Sequence, residues 1–313
     1  MQGLCERIVV TGGAGFIGSH LVERLLKEGA GSIVLLDDFS RGQFTNLRAA
    51  LGEPRFTIVQ ADVRDRDAVH EALAGASLVF HLAGRMAQSD DPRELEDVLT
   101  TNVVGTFNVL RAASDNLARR VIFASSYEAY GVPLSLPVDE EHPLHAVELN
   151  GASKVSAEAY CRAFRRVFGL QTVILRLAEV YGPRDVYGLI PQWLEQAEQG
   201  HDLVVQDKDR VTDLIWVDDV VDAMMRAAQS DAVLPPINVA SGTGTRLVDV
   251  ARRVARLSRH QPRVRALTSS SSDARRFVAN VERMRRILQM EPSLDPLERL
   301  EGLLPNAQLV SVT

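Results

Sequence analysis

The segment Thr11-Gly12-Gly13-Ala14-Gly15-Phe16-Ile17-Gly18-Ser19-His20 follows a β-branched run, Ile8-Val9-Val10, and opens a helical pattern over residues 16–28. No other feature constrains the fold as strongly. Glycines so spaced give a tight turn, a close backbone approach and close packing of helix on strand, and the helix start then presents unpaired N–H groups suited to a pyrophosphate. Asp37 and Asp38 end the second apolar run, 33–36. A carboxylate at Asp37 can hold ribose hydroxyls and repels a 2′-phosphate, so this turn predicts NAD rather than NADP. Arg41, in Phe39-Ser40-Arg41-Gly42, works against that preference.

The alternation continues along the chain. Apolar or β-branched runs at 56–60, 78–82, 121–125 and 171–176 are separated by helical patterns at 65–74, 95–117 and 152–168. This order predicts an α/β fold, a Rossmann-type doubly wound parallel sheet. Beyond residue 176 the rhythm gives way to Gly/Pro punctuation, short strands near 203–205 and 214–217, and helices near 219–230 and 247–258. Two parts are expected: a dinucleotide-binding domain over 1–176, with a returning segment near 213–240, and a smaller C-terminal α/β lobe over 177–313. The serine tract at 269–272 reads as a loop, and there is no internal repeat.

A formal net charge of −6 and the lack of a Lys/Arg-dense run argue against nucleic acid as a partner. No apolar run reaches membrane-spanning length, and the first strand leaves no room for a signal peptide, so a cytoplasmic protein is expected. The two cysteines, Cys5 and Cys161, are too few and too distant for a disulfide framework or a zinc cluster, so no metal is expected. Arginine outnumbers lysine so heavily that only Lys27, Lys154 and Lys208 remain. Lys27 suits the helix dipole and Lys208 a solvated acidic turn. Lys154 has no such simple account and is a candidate for ammonium-specific chemistry.

After Val121-Ile122-Phe123-Ala124 the chain reads Ser125-Ser126-Tyr127-Glu128-Ala129-Tyr130-Gly131. Hydroxyls, a phenol and a carboxylate there stand where a buried strand meets solvent, the composition of a proton-transfer site.

With these residues in hand, the chain resembles the extended short-chain dehydrogenase/reductases of the nucleotide-sugar epimerase and dehydratase branch. The likeness extends to Asp62-Val63, His81-Leu82-Ala83-Gly84, Thr101-Asn102-Val103-Val104-Gly105-Thr106, Val180-Tyr181-Gly182-Pro183-Arg184, Gly188-Leu189-Ile190-Pro191 and Val217-Asp218-Asp219-Val220. It implies bound NAD, with Gly12, Gly15, Phe16, Ile17 and Gly18 at the diphosphate and Asp37, Asp38, Ser40, Arg41 and Gly42 at the ribose. Asp62 and Val63 would flank the adenine, Leu82, Ala83, Gly84 and Arg85 would run along the cofactor, and Asn102 would support it. It also implies a nucleotide-sugar substrate bound by the C-terminal lobe, and a homodimer paired through the helices at 95–117 and 152–168.

In this family a Ser/Thr, a tyrosine and a lysine perform the redox step, the tyrosine four residues before the lysine. Ser126 and Lys154 match, but Asn150 stands at the tyrosine position. Tyr127 and Glu128 align with the Asp-Glu pair of nucleotide-hexose 4,6-dehydratases, whose glutamate removes the C5 proton while the neighbouring acid assists loss of the C6 hydroxyl. Glu128 thus resembles a dehydratase base, and Tyr127 is a candidate for the displaced phenol. Glu179, Thr212 and Ser270 also replace residues usual in the family, while Arg210, Arg275 and Arg276 lie near by. Asn150, Glu179, Leu189 and Arg210 are the candidate substrate contacts.

Departure at both the tyrosine and the aspartate positions is similar to the hexosamine 5,6-dehydratases of tunicamycin biosynthesis, an antibiotic pathway, which form an exocyclic alkene from UDP-N-acetylglucosamine. The expectation is therefore an NAD-dependent lyase. A 4,6-dehydratase, a UDP-sugar 4-epimerase and a non-catalytic NAD-binding sensor are the alternatives.

Overall fold

The computed structural model describes residues 6–87, 89–268 and 276–304. Two compact units emerge, and the chain passes between them more than once. The first comprises residues 1–131, 142–177 and 221–237, and the second 132–141, 178–220 and 238–313.

The first unit is built on β1 (Arg7–Thr11), β2 (Ser32–Asp37), β3 (Phe56–Gln60), β4 (Leu78–His81), β5 (Arg120–Ser126) and β6 (Gln171–Leu177). With β10 (Ile237–Val239) these strands form one seven-stranded sheet in the order β10-β6-β5-β4-β1-β2-β3. The pairings from β6 through β3 are parallel, with Val10 opposite both Leu35 and Phe80, and Ser126 opposite Leu177. The doubly wound Rossmann-type sheet is as expected from the sequence. The order reverses at β1, so the ends of β1 and β4 open side by side, the place where such sheets bind ligands.

Helices α1 (Phe16–Lys27), α2 (Arg66–Ala72), α3 (Pro92–Leu99), α4 (Thr106–Asp115) and α5 (Leu149–Phe168) flank the sheet. One core joins Val9, Val34, Val79, Val121 and Phe123 to Val109, Leu110, Ala157, Cys161 and Phe164 of α4 and α5. Each of its valines, leucines and phenylalanines contributes about 1.5–3 kcal/mol when fully buried. Caps explain several boundaries. Asp65 accepts the Asp67 and Ala68 N–H groups at the start of α2, Asp91 accepts that of Arg93 before Pro92-led α3, and Gly169 closes α5 in the left-handed region.

The single helix expected over 95–117 is corrected. The helical run begins at Pro92 and is interrupted by a π-helical turn, Thr100–Gly105, before α4. Periodicity cannot reveal this, because one inserted residue shifts the apolar stripe by a single step while leaving both flanks helical. Asn102 lies within the turn, and a π-bulge at a functional segment is a recurrent arrangement.

The second unit holds β7 (Glu179–Tyr181), β9 (Val211–Trp216) and β11 (Gly244–Arg246) in the order β11-β9-β7, with β8 (Leu203–Val205) paired to β12 (Val264–Ala266). Helices α6 (Leu189–Glu198), α8 (Leu247–Leu257) and α9 (Glu282–Leu288) complete it, and α7 (Val217–Gln229) begins in this unit and ends in the first. Its core includes Tyr181, Ile190, Trp193, Leu203, Leu214, Leu247, Val250 and Leu300. No described helix is long and apolar enough to cross a membrane.

Candidate active site

The glycine turn brings β1 against the segment after β4. Gly12 has φ +69°, and a Cβ there would lie 2.6 Å from the Ala83 backbone nitrogen, so only glycine permits this approach. Helix α1 then starts at Gly15 with no side-chain cap and no acid in its first turn. The Phe16 and Ile17 N–H groups lack intrahelical acceptors by position, which leaves the end open to an anion.

Asp37 accepts N–H groups from Ala14 at 2.9 Å and Phe39 at 2.8 Å, tying the end of β2 to the glycine turn. Burial pushes its carboxyl above the usual range against the pull of those bonds. Asp38 accepts both the N–H and the hydroxyl of Ser40 and pairs with Arg85 at 3.1 Å. Arg85 also reaches Asp97, which pairs with Arg64, and Arg64 holds Asp62 at 2.6 Å. Arg41 donates to the Met86 carbonyl at 2.6 Å. Val63 is buried against Gly105.

Asn102 accepts the Arg85 N–H at 2.7 Å and donates to the Arg85 carbonyl at 2.9 Å and to Ser153 Oγ at 2.8 Å. Its amide therefore fixes the backbone of the 82–85 segment. Beneath, Thr106 donates its hydroxyl proton to the Asn102 carbonyl at 2.6 Å, so His81 Nε2 must be the donor to Thr106 Oγ1 at 2.9 Å. Nδ1 then accepts from Thr11 Oγ1 at 2.7 Å. Burial, and secondarily the Lys154 charge, push this imidazole down to about 3, consistent with a neutral ring fixed in one tautomer.

The proton-transfer candidates meet where β5 ends. Ser126 caps the 3-10 turn Tyr127–Tyr130, its Oγ accepting the Glu128 N–H at 3.2 Å. Lys154, one turn into α5, donates to the Ala124 carbonyl at 2.9 Å. A methyl group added at Gly84 would sit 3.4 Å from its ammonium and 3.2 Å from Asn102 Oδ1, which puts Lys154 beside the segment along the expected cofactor path. Burial lowers Lys154 to about 8, an effect opposed by the charge of Glu128.

Asn150 donates its side-chain amide to Glu128 Oε2. Because a carboxylate only accepts, this bond fixes the amide with its nitrogen toward Glu128. The other end, Oδ1, is buried with no hydrogen-bond partner among the described residues. Gly151 makes the juxtaposition possible, since a Cβ there would overlap the Glu128 carbonyl oxygen. Tyr127, half-buried, heads the same turn. Tyr130 is fully buried and accepts from Arg176 Nη1 at 3.0 Å.

In the second unit Glu179, Leu189 and Arg210 line one solvent-open pocket with Tyr181, Asp185 and Trp193. Asp185 accepts the Gly188 N–H at 3.0 Å, and burial, with the charge of Glu179, raises its carboxyl. Thr212 is buried, whereas Ser270 and Arg275 lie outside the described residues, as do Cys5 and the serine tract. Cys161 is buried and free, its thiol pushed up by burial.

Sequence reasoning missed three supports of the cluster. Glu158 holds Ser125 and Arg176, Ser153 holds Asn102, and Asp97 bridges Arg64 and Arg85. A signal existed for Glu158 alone, since it lies four residues beyond Lys154 and thus on the same face of α5.

A sequence profile of the NAD dependent epimerase/dehydratase family matches residues 8–240. The UDP-glucose 4-epimerase of Mycolicibacterium smegmatis is 33% identical over 305 residues, covering 92% of this chain and 94% of that protein. UDP-glucuronic acid decarboxylase 6 of Arabidopsis thaliana is 28% identical, covering 94% and 86%. Among solved structures, the dTDP-glucose 4,6-dehydratase DesIV of Streptomyces venezuelae, with NAD bound, superposes with a TM-score of 0.86 at 26% identity, covering 94% of each chain.

Proposed function

The chain belongs to the NAD dependent epimerase/dehydratase family, and within it we propose a nucleotide-sugar dehydratase in which Glu128 removes the C5 proton. The observation that carries this reading is the Asn150 amide donating to the Glu128 carboxylate beside Lys154. A 4-epimerase works at C4 alone and has no task for a carboxylate held in this way. An elimination needs one, because a C4 ketone acidifies the C5 proton and a base must take it.

The open helix end, the close approach at Gly12 and the acid at Asp37 fit NAD. NAD, when bound, accepts a hydride from C4 and returns it. Gly12, Gly15, Phe16, Ile17 and Gly18 would hold its diphosphate, Asp37, Asp38, Ser40, Arg41 and Gly42 its ribose, and Leu82–Arg85, braced by Asn102, its length. Lys154 and Ser126 stabilise charge at O4, Glu128 takes the proton from C5, and Tyr127 assists departure of the C6 hydroxyl as water. The pocket lined by Glu179, Leu189 and Arg210 receives the nucleotide. Two copies pair through α4 and α5, whose exposed Phe107, Tyr160 and Phe168 support that assembly.

The finer reading is 5,6-dehydration of UDP-N-acetylglucosamine with hydride returned to C4, supported by the joint departure at Tyr127 and Asn150 from the residues usual in 4,6-dehydratases. A second reading, 4-epimerisation, is favoured by the 33% identity to a UDP-glucose 4-epimerase. Incubation with UDP-N-acetylglucosamine in deuterated water separates them. A product lighter by one water with exocyclic methylene protons supports 5,6-dehydration, and a 4-keto-6-deoxy sugar supports 4,6-dehydration. An isomer of unchanged mass, free of deuterium at C5, overturns the dehydratase reading.

A further inference from the structure

Asn150 stands where a phenol is expected, and its side chain is only half satisfied. The nitrogen is committed to Glu128, and the carbonyl oxygen is buried without a partner among the described residues. A buried acceptor without a donor is costly, and a group that enters the site and donates to it removes that cost. The residue sits in the first turn of α5, one turn before Lys154, and its backbone carbonyl accepts the Ser153 hydroxyl at 2.7 Å, so the backbone that carries it is braced.

We infer that Asn150 is a two-ended positioning residue, its N–H holding the Glu128 carboxylate while Oδ1 accepts a hydrogen bond from a sugar hydroxyl on the reacting edge of the substrate. This deepens the dehydratase reading and rests on it for the identity of that edge, which carries the 4- and 6-hydroxyls. Asparagine suits the task because it presents a donor and an acceptor from one planar group, so the position of the hydroxyl and the position of the base are coupled. A phenol at the same place would donate and accept through one oxygen, whereas the amide does so through two atoms held a fixed distance apart. The amide itself moves no proton.

The test is a binding cycle on protein loaded with reduced cofactor, which cannot oxidise the sugar. UDP-N-acetylglucosamine and its 4-deoxy and 6-deoxy analogues are titrated calorimetrically into the native protein, Asn150→Ala and Asn150→Asp. In the native protein, loss of the contacted hydroxyl weakens binding by about tenfold, the size of one hydrogen bond to a buried acceptor. Asn150→Ala, lacking both ends, binds the parent and that analogue within about twofold of each other. Asn150→Asp keeps an acceptor but no donor to Glu128, so it retains the discrimination while kcat falls as far as in Asn150→Ala.

Equal penalties for both deletions in the native protein and in Asn150→Ala overturn the inference, as does a kcat in Asn150→Asp equal to that of the native protein. The analogue that loses its penalty identifies the hydroxyl. Glu128→Gln with full turnover would defeat the dehydratase reading instead, and the binding cycle, which needs no turnover, still decides the Asn150 contact.

Discussion

Glu158 and Arg176 form a buried two-point ion pair between α5 and β6, Nη2 to Oε2 at 2.8 Å and Nε to Oε1 at 3.0 Å, with side-chain exposures of 0% and 3%. Ser125 donates to Oε1 at 2.7 Å, and Arg176 donates to the Tyr130 hydroxyl at 3.0 Å. The pair therefore fastens α5, which carries Lys154, to β5, which ends at Ser126, and to β6. Burial alone would raise the Glu158 carboxyl, and the Arg176 bonds outweigh it, leaving the group below its usual range. Arg176→Leu should cost about 3–5 kcal/mol by stranding this carboxylate, toward the lower value because half-exposed Arg162 still reaches Oε2 at 3.1 Å. A urea midpoint whose fall, multiplied by an unchanged slope, amounts to less than about 1 kcal/mol would show the pair to be dispensable.

Lys154 is held near 8 by burial. Its folded value lies below the ordinary lysine value, so between the two the unfolded chain binds more protons, and its contribution to stability rises with pH through that interval. In the proposed reaction activity has the opposite dependence, because the charge at O4 would disappear as the ammonium deprotonates. The rate should decline on the alkaline side with a midpoint near 8. Lys154→Arg keeps its charge throughout and should move that limb up by more than about one pH unit, at a lower maximum rate. An unmoved limb would assign it to another group.

Gly12→Ala combines a φ of +69° with a Cβ pressed against the Ala83 backbone. Neither backbone segment can yield cheaply, since Gly12 N–H is bonded to the Leu36 carbonyl at 2.9 Å and Leu82 N–H to the Thr11 carbonyl at 3.1 Å. The substitution should destabilise by about 1–3 kcal/mol and separate β1 from the 82–85 segment. Protein purified from the variant should release less than a tenth of the NAD released by the native chain after acid denaturation. Equal release would remove Gly12 from the cofactor site.

The sheet was legible in the sequence because its strands are short apolar runs between helices of clear period, and the strand-five cluster was legible because its residues are adjacent in the chain. Other features depend on contacts remote in sequence. Asn102 and Ser153 meet across 51 positions, and no local pattern announces that meeting. The π-helical turn at Thr100–Gly105 is silent because one inserted residue leaves both flanks helical, and weak helix formers such as its Thr, Asn, Val and Gly do not specify a π-turn. Asn150 was conspicuous as a missing phenol, yet its bond to Glu128 follows only from Gly151, which lets α5 touch the turn after β5.

Glu128→Gln should abolish loss of water while leaving NAD bound, because the amide retains the shape of the carboxylate but cannot accept the C5 proton. A loss of about 10²–10⁴-fold in kcat is expected for removal of a general base. Tyr127→Phe should be similarly severe if its hydroxyl assists departure at C6. Both are checked by following methylene protons in the product, with released NAD as the control. Turnover within tenfold of native for either variant would withdraw the role given to that residue.

Asp213 is the second unit's counterpart of a structural lock. Fully buried on β9, it accepts the Ser241 N–H and hydroxyl at 2.9 and 2.6 Å, the Gly242 N–H at 3.0 Å and the Ala279 N–H at 3.1 Å. Burial raises the carboxyl to about 6 despite these four donors, which pull it the other way. Since the folded value exceeds the unfolded one, the native state holds a proton that the unfolded chain has released between pH 4 and 6, so this group's contribution to stability falls as pH rises through that window. Asp213→Asn removes the dependence and turns an amide N–H₂ toward the N–H groups of the loop. It should destabilise at pH 7 by about 1–3 kcal/mol, the cost of buried donors left without acceptors. Denaturant midpoints of both proteins at pH 4.5 and 7 test this directly: the difference between them should widen at pH 4.5, and a difference that narrows there would mean that the native carboxyl is ionised across the whole range.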